Sequence, residues 1–350
     1  MERLNNVSLL RLVAMLMIFV HHIRNGYLGD FYQASAWFPF YVGVGIFLFI
    51  SGFLYANKSV AKGKGFYFKQ FIKILVPYYV FMILLALVYL IVDPTVLTTT
   101  EILKATFILY NFFGGFCSVG HFWFIPFILI CYLFIPLLQK LYDKQLTKKQ
   151  TIWTKLLIWT LIIVECCASF FLNNRPTFIC FFAGYHLGRK FLETKQVINS
   201  KRSIIVTSIL FFASVTIYAV TAFGSGVLFD VWNNYFWHDF CGFVAENCTG
   251  LMAITFSLLF IKIFEFLNKK SEGYVLKWSD KYSYCFYITH QIFLIKALST
   301  WTWTPYIWLD IILAFVCTIA SAMVLEWIQK PIANALISLR KKPEIKETHS

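Results

Sequence analysis

Apolar runs of helical length recur along the whole chain, each closed by a short polar stretch. They lack the strict alternation of a half-buried strand and carry few charges, which is the pattern of membrane-spanning helices. Ten spans are predicted, at roughly 7–23, 41–57, 74–92, 122–138, 153–172, 177–190, 204–222, 248–266, 283–299 and 306–328, with ends placed to about 2–4 residues. A barrel strand needs only about 9–11 alternating residues, so runs of this length mean helices. The sixth run is short and reads as a tilted span or one packed inside the bundle. The fold class expected is therefore all-α, a polytopic membrane bundle of about ten helices. Residues 1–330 read as one transmembrane domain and 331–350 as a short cytoplasmic tail. No internal repeat or appended soluble domain is visible.

The polar stretches alternate in charge. Lys58, Lys62, Lys64, Lys69 and Lys73 follow span 2, and Lys140, Lys144, Lys148, Lys149 and Lys155 follow span 4. Arg189, Lys190, Lys195, Lys201 and Arg202 follow span 6, and Lys269, Lys270, Lys277 and Lys281 follow span 8. Arg340, Lys341, Lys342 and Lys346 lie in the tail, whereas the intervening stretches hold only Arg24, Lys104 and Arg175. By the positive-inside rule both termini are cytoplasmic, and an even span count agrees. Loops 24–40, 93–121 and 223–247 are then outside. The last holds Asp230, His238, Asp239 and Glu246 among Trp232, Tyr235, Phe236 and Trp237. Aromatics beside carboxylates suit sugar binding, and they suit an interfacial belt as well.

Composition supports the membrane class. Of 350 residues, 59% are hydrophobic and 14% charged, against about 25% charged in soluble domains; the mean hydropathy is +0.68. A net charge of +14 would suit nucleic acid if it formed one basic face. It is spread over alternate loops, so no nucleic-acid partner is expected, and contact with anionic membrane lipids follows instead. The nine cysteines show no zinc-type spacing, and no metal is expected. Cys241 and Cys248 share one predicted outer loop and are a candidate disulfide. Arg11 interrupts the first apolar run, so that run reads as a retained helix rather than a cleavable signal. The expected location is the cytoplasmic (plasma) membrane.

The candidate chemistry starts in span 1. A cation well inside a span is costly and is a functional candidate by default. Arg11 and His22 are separated by eleven residues, which places them roughly 20° apart around a helix and about 16 Å apart along it. One helix face thus carries a permanent cation near its cytoplasmic end and a titratable base near its outer end. His21 points roughly 80° away from Arg11 by the same arithmetic.

Further motifs follow in order: Gly43-Val-Gly-Ile-Phe47-Leu-Phe-Ile-Ser51-Gly52-Phe53, Lys69-Gln-Phe-Ile-Lys73-Ile-Leu-Val-Pro77-Tyr78, His121-Phe-Trp123-Phe124 and Ser283-Tyr284-Cys-Phe-Tyr287-Ile-Thr-His290. This series resembles the acyltransferase-3 family of membrane acyltransferases, over nearly the whole chain. The resemblance implies O-acylation of an extracytoplasmic acceptor, a glycan or lipid-linked glycan, with acetyl-CoA as acyl donor. It implies that Arg11 and His22 are the essential pair, and that Lys69 and Lys73 lie where the family has a basic run with an Arg-x-x-Arg pattern. Here Gln70 and Lys73 replace those arginines. A lysine meets a phosphate as a point charge and lacks the guanidinium fork. Gly45 stands where many members carry Asp or Pro.

CoA is cytoplasmic and polyanionic, so its phosphates would meet Lys69, Lys73 and Arg11 at the inner mouth. Its pantetheine arm would carry the thioester up toward His22. His22 is the candidate general base, with an acyl-histidine intermediate as the alternative and His21 as an alternative base. Ser51, His121, Trp123, Tyr284 and His290 are the candidates for substrate or oxyanion contacts. Ser51-Gly52 also reads as a close-packing helix contact. Glu165 and Glu326 read as structural partners of buried cations. Two other classes compete with the enzyme: a polysaccharide or small-molecule exporter, and a silent subunit of a glycan-assembly complex. The lack of an inverted repeat argues against the first, and retention of Arg11 with His22 against the second. No feature of the sequence encodes the oligomeric state.

Overall fold

Each predicted span is realised as a helix, and most of the helices outrun the apolar stretch that predicts them. A computed structural model describes residues 5–27, 38–56, 64–108, 119–142, 147–172, 178–194, 201–232, 235–266, 273–295 and 298–339. Eleven α-helices are present among them and no strand. They are α1 (Asn5–Tyr27), α2 (Val42–Ala56), α3 (Lys64–Val92), α4 (Thr99–Phe107), α5 (Phe124–Leu141), α6 (Lys148–Leu172), α7 (Phe178–Thr194), α8 (Lys201–Trp232), α9 (Tyr235–Phe266), α10 (Tyr274–Leu294) and α11 (Ile307–Leu339). The protein is an all-α polytopic bundle. Six described helices are long and apolar enough to cross a membrane by length and composition.

The differences at helix ends share one cause. Hydropathy marks where lipid contact ends, whereas a helix ends where its backbone bonding ends. Helix α3 therefore begins at Lys64 and takes in Lys69 and Lys73. The stretch 223–247, expected as a loop, is largely helical, with Asp230 near the end of α8 and Glu246 within α9. Helix α11 runs on to Leu339, so the first part of the expected tail is helical. The candidate disulfide is not formed: Cys241 and Cys248 are free thiols on α9. Seven residues of one helix put them about 10 Å apart along its axis, beyond the reach of a disulfide. The short helix α4 was not expected. Thr98 caps its first turn, and the carbonyls of Ala105 and Thr106 in its last turn accept from Tyr78 and Tyr79 of α3.

The chain divides into two compact units. One comprises Met1–Ser59, Phe134–Ser283 and Thr300–Ile311; the other comprises Val60–Leu133, Tyr284–Ser299 and Ile312–Ser350. In the first, α2 and α7 lie in backbone contact. A Cβ added to Gly184 would sit 2.0 Å from the Phe49 carbonyl oxygen, and one added to Gly52 2.0 Å from that of Phe181. Gly188 faces Phe53 in the same way, so the two helices run parallel. Gly43 lies against Ala14 and Ile18 of α1, and Gly45 against Ala253 of α9. Small residues admit this approach where lipid gives no hydrophobic drive for association.

Several polar groups on the helices are satisfied by nearby protein atoms. Glu165 accepts from the backbone N–H groups of Phe178 and Ile179 and so caps the start of α7. Glu326 accepts from Gln329 and meets the Cys285 thiol. Among the described residues Lys262 on α9 is a buried cation, and its Nζ donates to Ser203 Oγ (2.7 Å) and Thr207 Oγ1 (2.8 Å) of α8.

Candidate functional site

Helix α1 is unbroken through both members of its polar pair, so Arg11 and His22 share a face as the spacing predicts. The structure adds a counter-ion. Arg11 Nη1 donates to Asp280 Oδ1 at 2.7 Å, and Ser8 Oγ, one turn earlier on α1, donates to Oδ2 of the same carboxylate at 2.7 Å. The side chains of Arg11 and Asp280 are only 17% and 26% exposed, so water screens the pair little and its geometry is held. Asp280 lies in the first half of α10, just ahead of the stretch read as span 9.

The other end of that face is a cluster. The rings of His21 and His22 meet edge to face at 5.1 Å, and His21 meets the ring of Tyr41 in the same manner at 5.3 Å. The Tyr41 hydroxyl donates to Glu246 Oε1 on α9 at 3.4 Å. The Nδ1 atoms of both histidines and Glu246 Oε2 are shielded from solvent. Ser51 is half-buried on α2, beside the glycine that touches α7.

The remaining predicted residues belong to the second unit. Lys69 and Lys73 are exposed one turn apart on α3, and Gln70 between them is buried. His121 begins a 3₁₀ turn before α5 and is clamped to α10. Its Nε2 lies 3.0 Å from the Ile288 carbonyl oxygen and its Nδ1 2.6 Å from Gln291 Oε1, and its backbone N–H donates to that same Gln291 oxygen (3.2 Å). Tyr287 donates in turn to the His121 carbonyl. Both ring nitrogens of His121 thus face protein oxygens. His290 is fully buried, 4.9 Å from His121 between ring centres. Its Nδ1–H donates to the Tyr287 carbonyl at 2.6 Å, which leaves Nε2 as the basic nitrogen of the ring. Tyr284 donates to the Ile74 carbonyl (2.9 Å), three residues before the helix-interior Pro77. Trp123 is half-buried with its ring 5.8 Å from Phe127. A cavity of about 250 Å³ opens in this unit, lined by Phe81, Leu85, Thr289, Phe293, Ser321 and Leu325 among others. Its walls suit hydrocarbon rather than an anion. Among the described residues no group of His, Cys, Asp and Glu is placed to hold a metal.

The family described as "Acyltransferase domain" matches residues 4–328. The chain belongs to the acyltransferase-3 family. Comparison with curated proteins and with solved structures returned no match. The acyltransferase domain takes in Arg11, the histidine pair, both basic residues of α3 and the His121–His290 cluster. The protein is accordingly a membrane acyltransferase, and the expected polytopic bundle and family are both observed.

Sequence reasoning missed four residues of this acyltransferase. They are Asp280, Gln291 and Tyr41, which no sequence motif marks, and Glu246, which the sequence places in an outer aromatic loop. A signal for Asp280 existed, because an intramembrane arginine demands an acid and Asp280 lies within a few residues of the Ser283-Tyr284 motif. For Tyr41 and Glu246 there was none, since 205 positions separate them in the chain.

Proposed function

We propose that this membrane acyltransferase moves an acetyl group from cytoplasmic acetyl-CoA to a hydroxyl of an extracytoplasmic glycan or lipid-linked glycan. The observation that carries the reading is the single face of α1, with a neutralised cation at one end and a histidine pair at the other. Asp280 already balances Arg11, so the CoA phosphates fall to Lys69 and Lys73. In the transfer, the acceptor hydroxyl gives its proton to the His22 imidazole as its oxygen bonds to the thioester carbonyl carbon. The C–S bond then breaks, and the CoA thiolate takes that proton back. An acyl-histidine route splits the same exchange into two steps and would show ping-pong kinetics. The enzyme resides in the plasma membrane with both termini cytoplasmic, as the lysine alternation supports.

The test is transfer of labelled acetyl from acetyl-CoA to cell-surface glycan in wild type and His22→Ala at matched expression. Loss of about 100-fold or more in the variant is the expected result for removal of a general base. Equal transfer in both would remove His22 from the chemistry. Export of unmodified glycan that depends on the protein, with no acetyl transfer, would favour the exporter.

A further inference from the structure

The reaction as written uses one titratable group at the outer end of α1, yet four polar side chains meet there. Tyr41 stands just ahead of α2. Its hydroxyl reaches Glu246 on α9, its ring lies against His21, and His21 lies against His22. The contact is built into the packing. Gly43 admits α1, with a Cβ there only 2.5 Å from the Ala14 carbonyl oxygen, and Gly45 admits Ala253 of α9 at 2.7 Å. These two glycines lie two and four residues beyond Tyr41. They let three helices close on it and bring the Glu246 carboxylate to the Tyr41 hydroxyl. A half-buried acid on an apolar helix is costly and marks function by default.

We propose that Glu246 is a positioning residue of the acyl-transfer site, acting through the Tyr41 hydroxyl and ring on the His21–His22 pair. The proposal rests on the reading that this pair performs the proton transfer. Glu246 holds the Tyr41 hydroxyl, and the Tyr41 ring fixes the plane of His21, against which His22 is set. The carboxylate also offsets the positive charge that the imidazole gains when it takes the acceptor proton. Tyr41, ahead of α2, meets His21, and Glu246 of α9 meets the Tyr41 hydroxyl.

Glu246→Gln keeps the volume and an acceptor oxygen for Tyr41 and removes only the charge. A mere interhelical tie survives that change, and a positioning carboxylate does not. Acetyl transfer by the purified full-length protein in vesicles is measured for wild type, Glu246→Gln, Glu246→Asp and Tyr41→Phe. The expected result is a fall in kcat of about 10- to 100-fold for Glu246→Gln and Tyr41→Phe, with KM for acetyl-CoA nearly unchanged and partial rescue by Glu246→Asp. A double variant carrying Glu246→Gln and Tyr41→Phe, measured alongside, should lose little more than the worse single one, because the two act as one unit. Wild-type kcat in Glu246→Gln, or a loss fully explained by less folded protein, would overturn the proposal. Should the wild type itself transfer no acetyl, the functional reading fails, and modification of the pair by diethyl pyrocarbonate still decides. The ratio of His21 to His22 modification is expected to shift in Glu246→Gln and Tyr41→Phe. An unchanged ratio in both would overturn the link.

Discussion

At the level of single residues, the cost of placing polar atoms in an apolar medium explains most of what is seen. Arg11 and His22 stand out in the sequence because lipid penalises both. Their partners do not stand out, because Asp280 lies 269 positions away from Arg11 and only folding brings it near. Asp280→Asn retains an oxygen for Ser8 and removes the counter-charge. It is expected to lower stability by about 1–3 kcal/mol, less than for a fully buried pair because both groups are part-exposed. Thermal inactivation in detergent measures this, and an unchanged midpoint would show that Arg11 does not need the pair. Gln291 serves His121 twice, on its ring and on its backbone N–H. Gln291→Leu removes both contacts from a buried site and should cost about 1–3 kcal/mol, read as a lower unfolding midpoint.

Among the helices, the close approach of α2 and α7 decides the architecture of the first unit. Gly52, Gly184 and Gly188 face backbone atoms, which cannot swing aside as a side chain would. Gly184→Ala is therefore expected to force the helices apart and destabilise the unit by about 1–3 kcal/mol or more. Gly65→Ala on α3 is the control, because nothing lies within 4 Å of a Cβ there; it should be neutral or stabilising by up to about 1 kcal/mol. Comparison of the two unfolding midpoints checks the pair. Helix positions were legible because long apolar runs with few charges admit few other structures. Helix ends were not: the polar turns at Lys64–Lys73 and the aromatic stretch before Cys248 satisfy their own backbone bonds beyond the lipid. Hydropathy carries no record of that.

For the whole molecule, direction along the membrane is the testable property. The lysine alternation makes span 1 opposite in direction to spans 2, 6 and 8. The contacts have this relation: Gly43 meets Ala14–Ile18 as Tyr41 meets His21, whereas Gly45 and Phe53 follow Cys180 and Gly188 in parallel order. Both termini in the cytoplasm is the corresponding absolute prediction. A green fluorescent protein fused after Ser350 should fluoresce, and alkaline phosphatase at the same place should be inactive. An active phosphatase would reverse the assignment and place Lys69 and Lys73 away from cytoplasmic CoA.

The sequence by itself determined the helical class, the approximate place of every long helix, the family and the α1 pair. Each of these depends on local composition or on short spacings along one helix, which the chain states directly. Only the tertiary structure decided that Asp280 neutralises Arg11, that α10 clamps both nitrogens of His121, and that Tyr41 and Glu246 join the histidine pair. It also showed Cys241 and Cys248 to be free thiols on one helix. Such contacts join residues far apart in the chain, and hydropathy and short spacings along one helix carry no record of them.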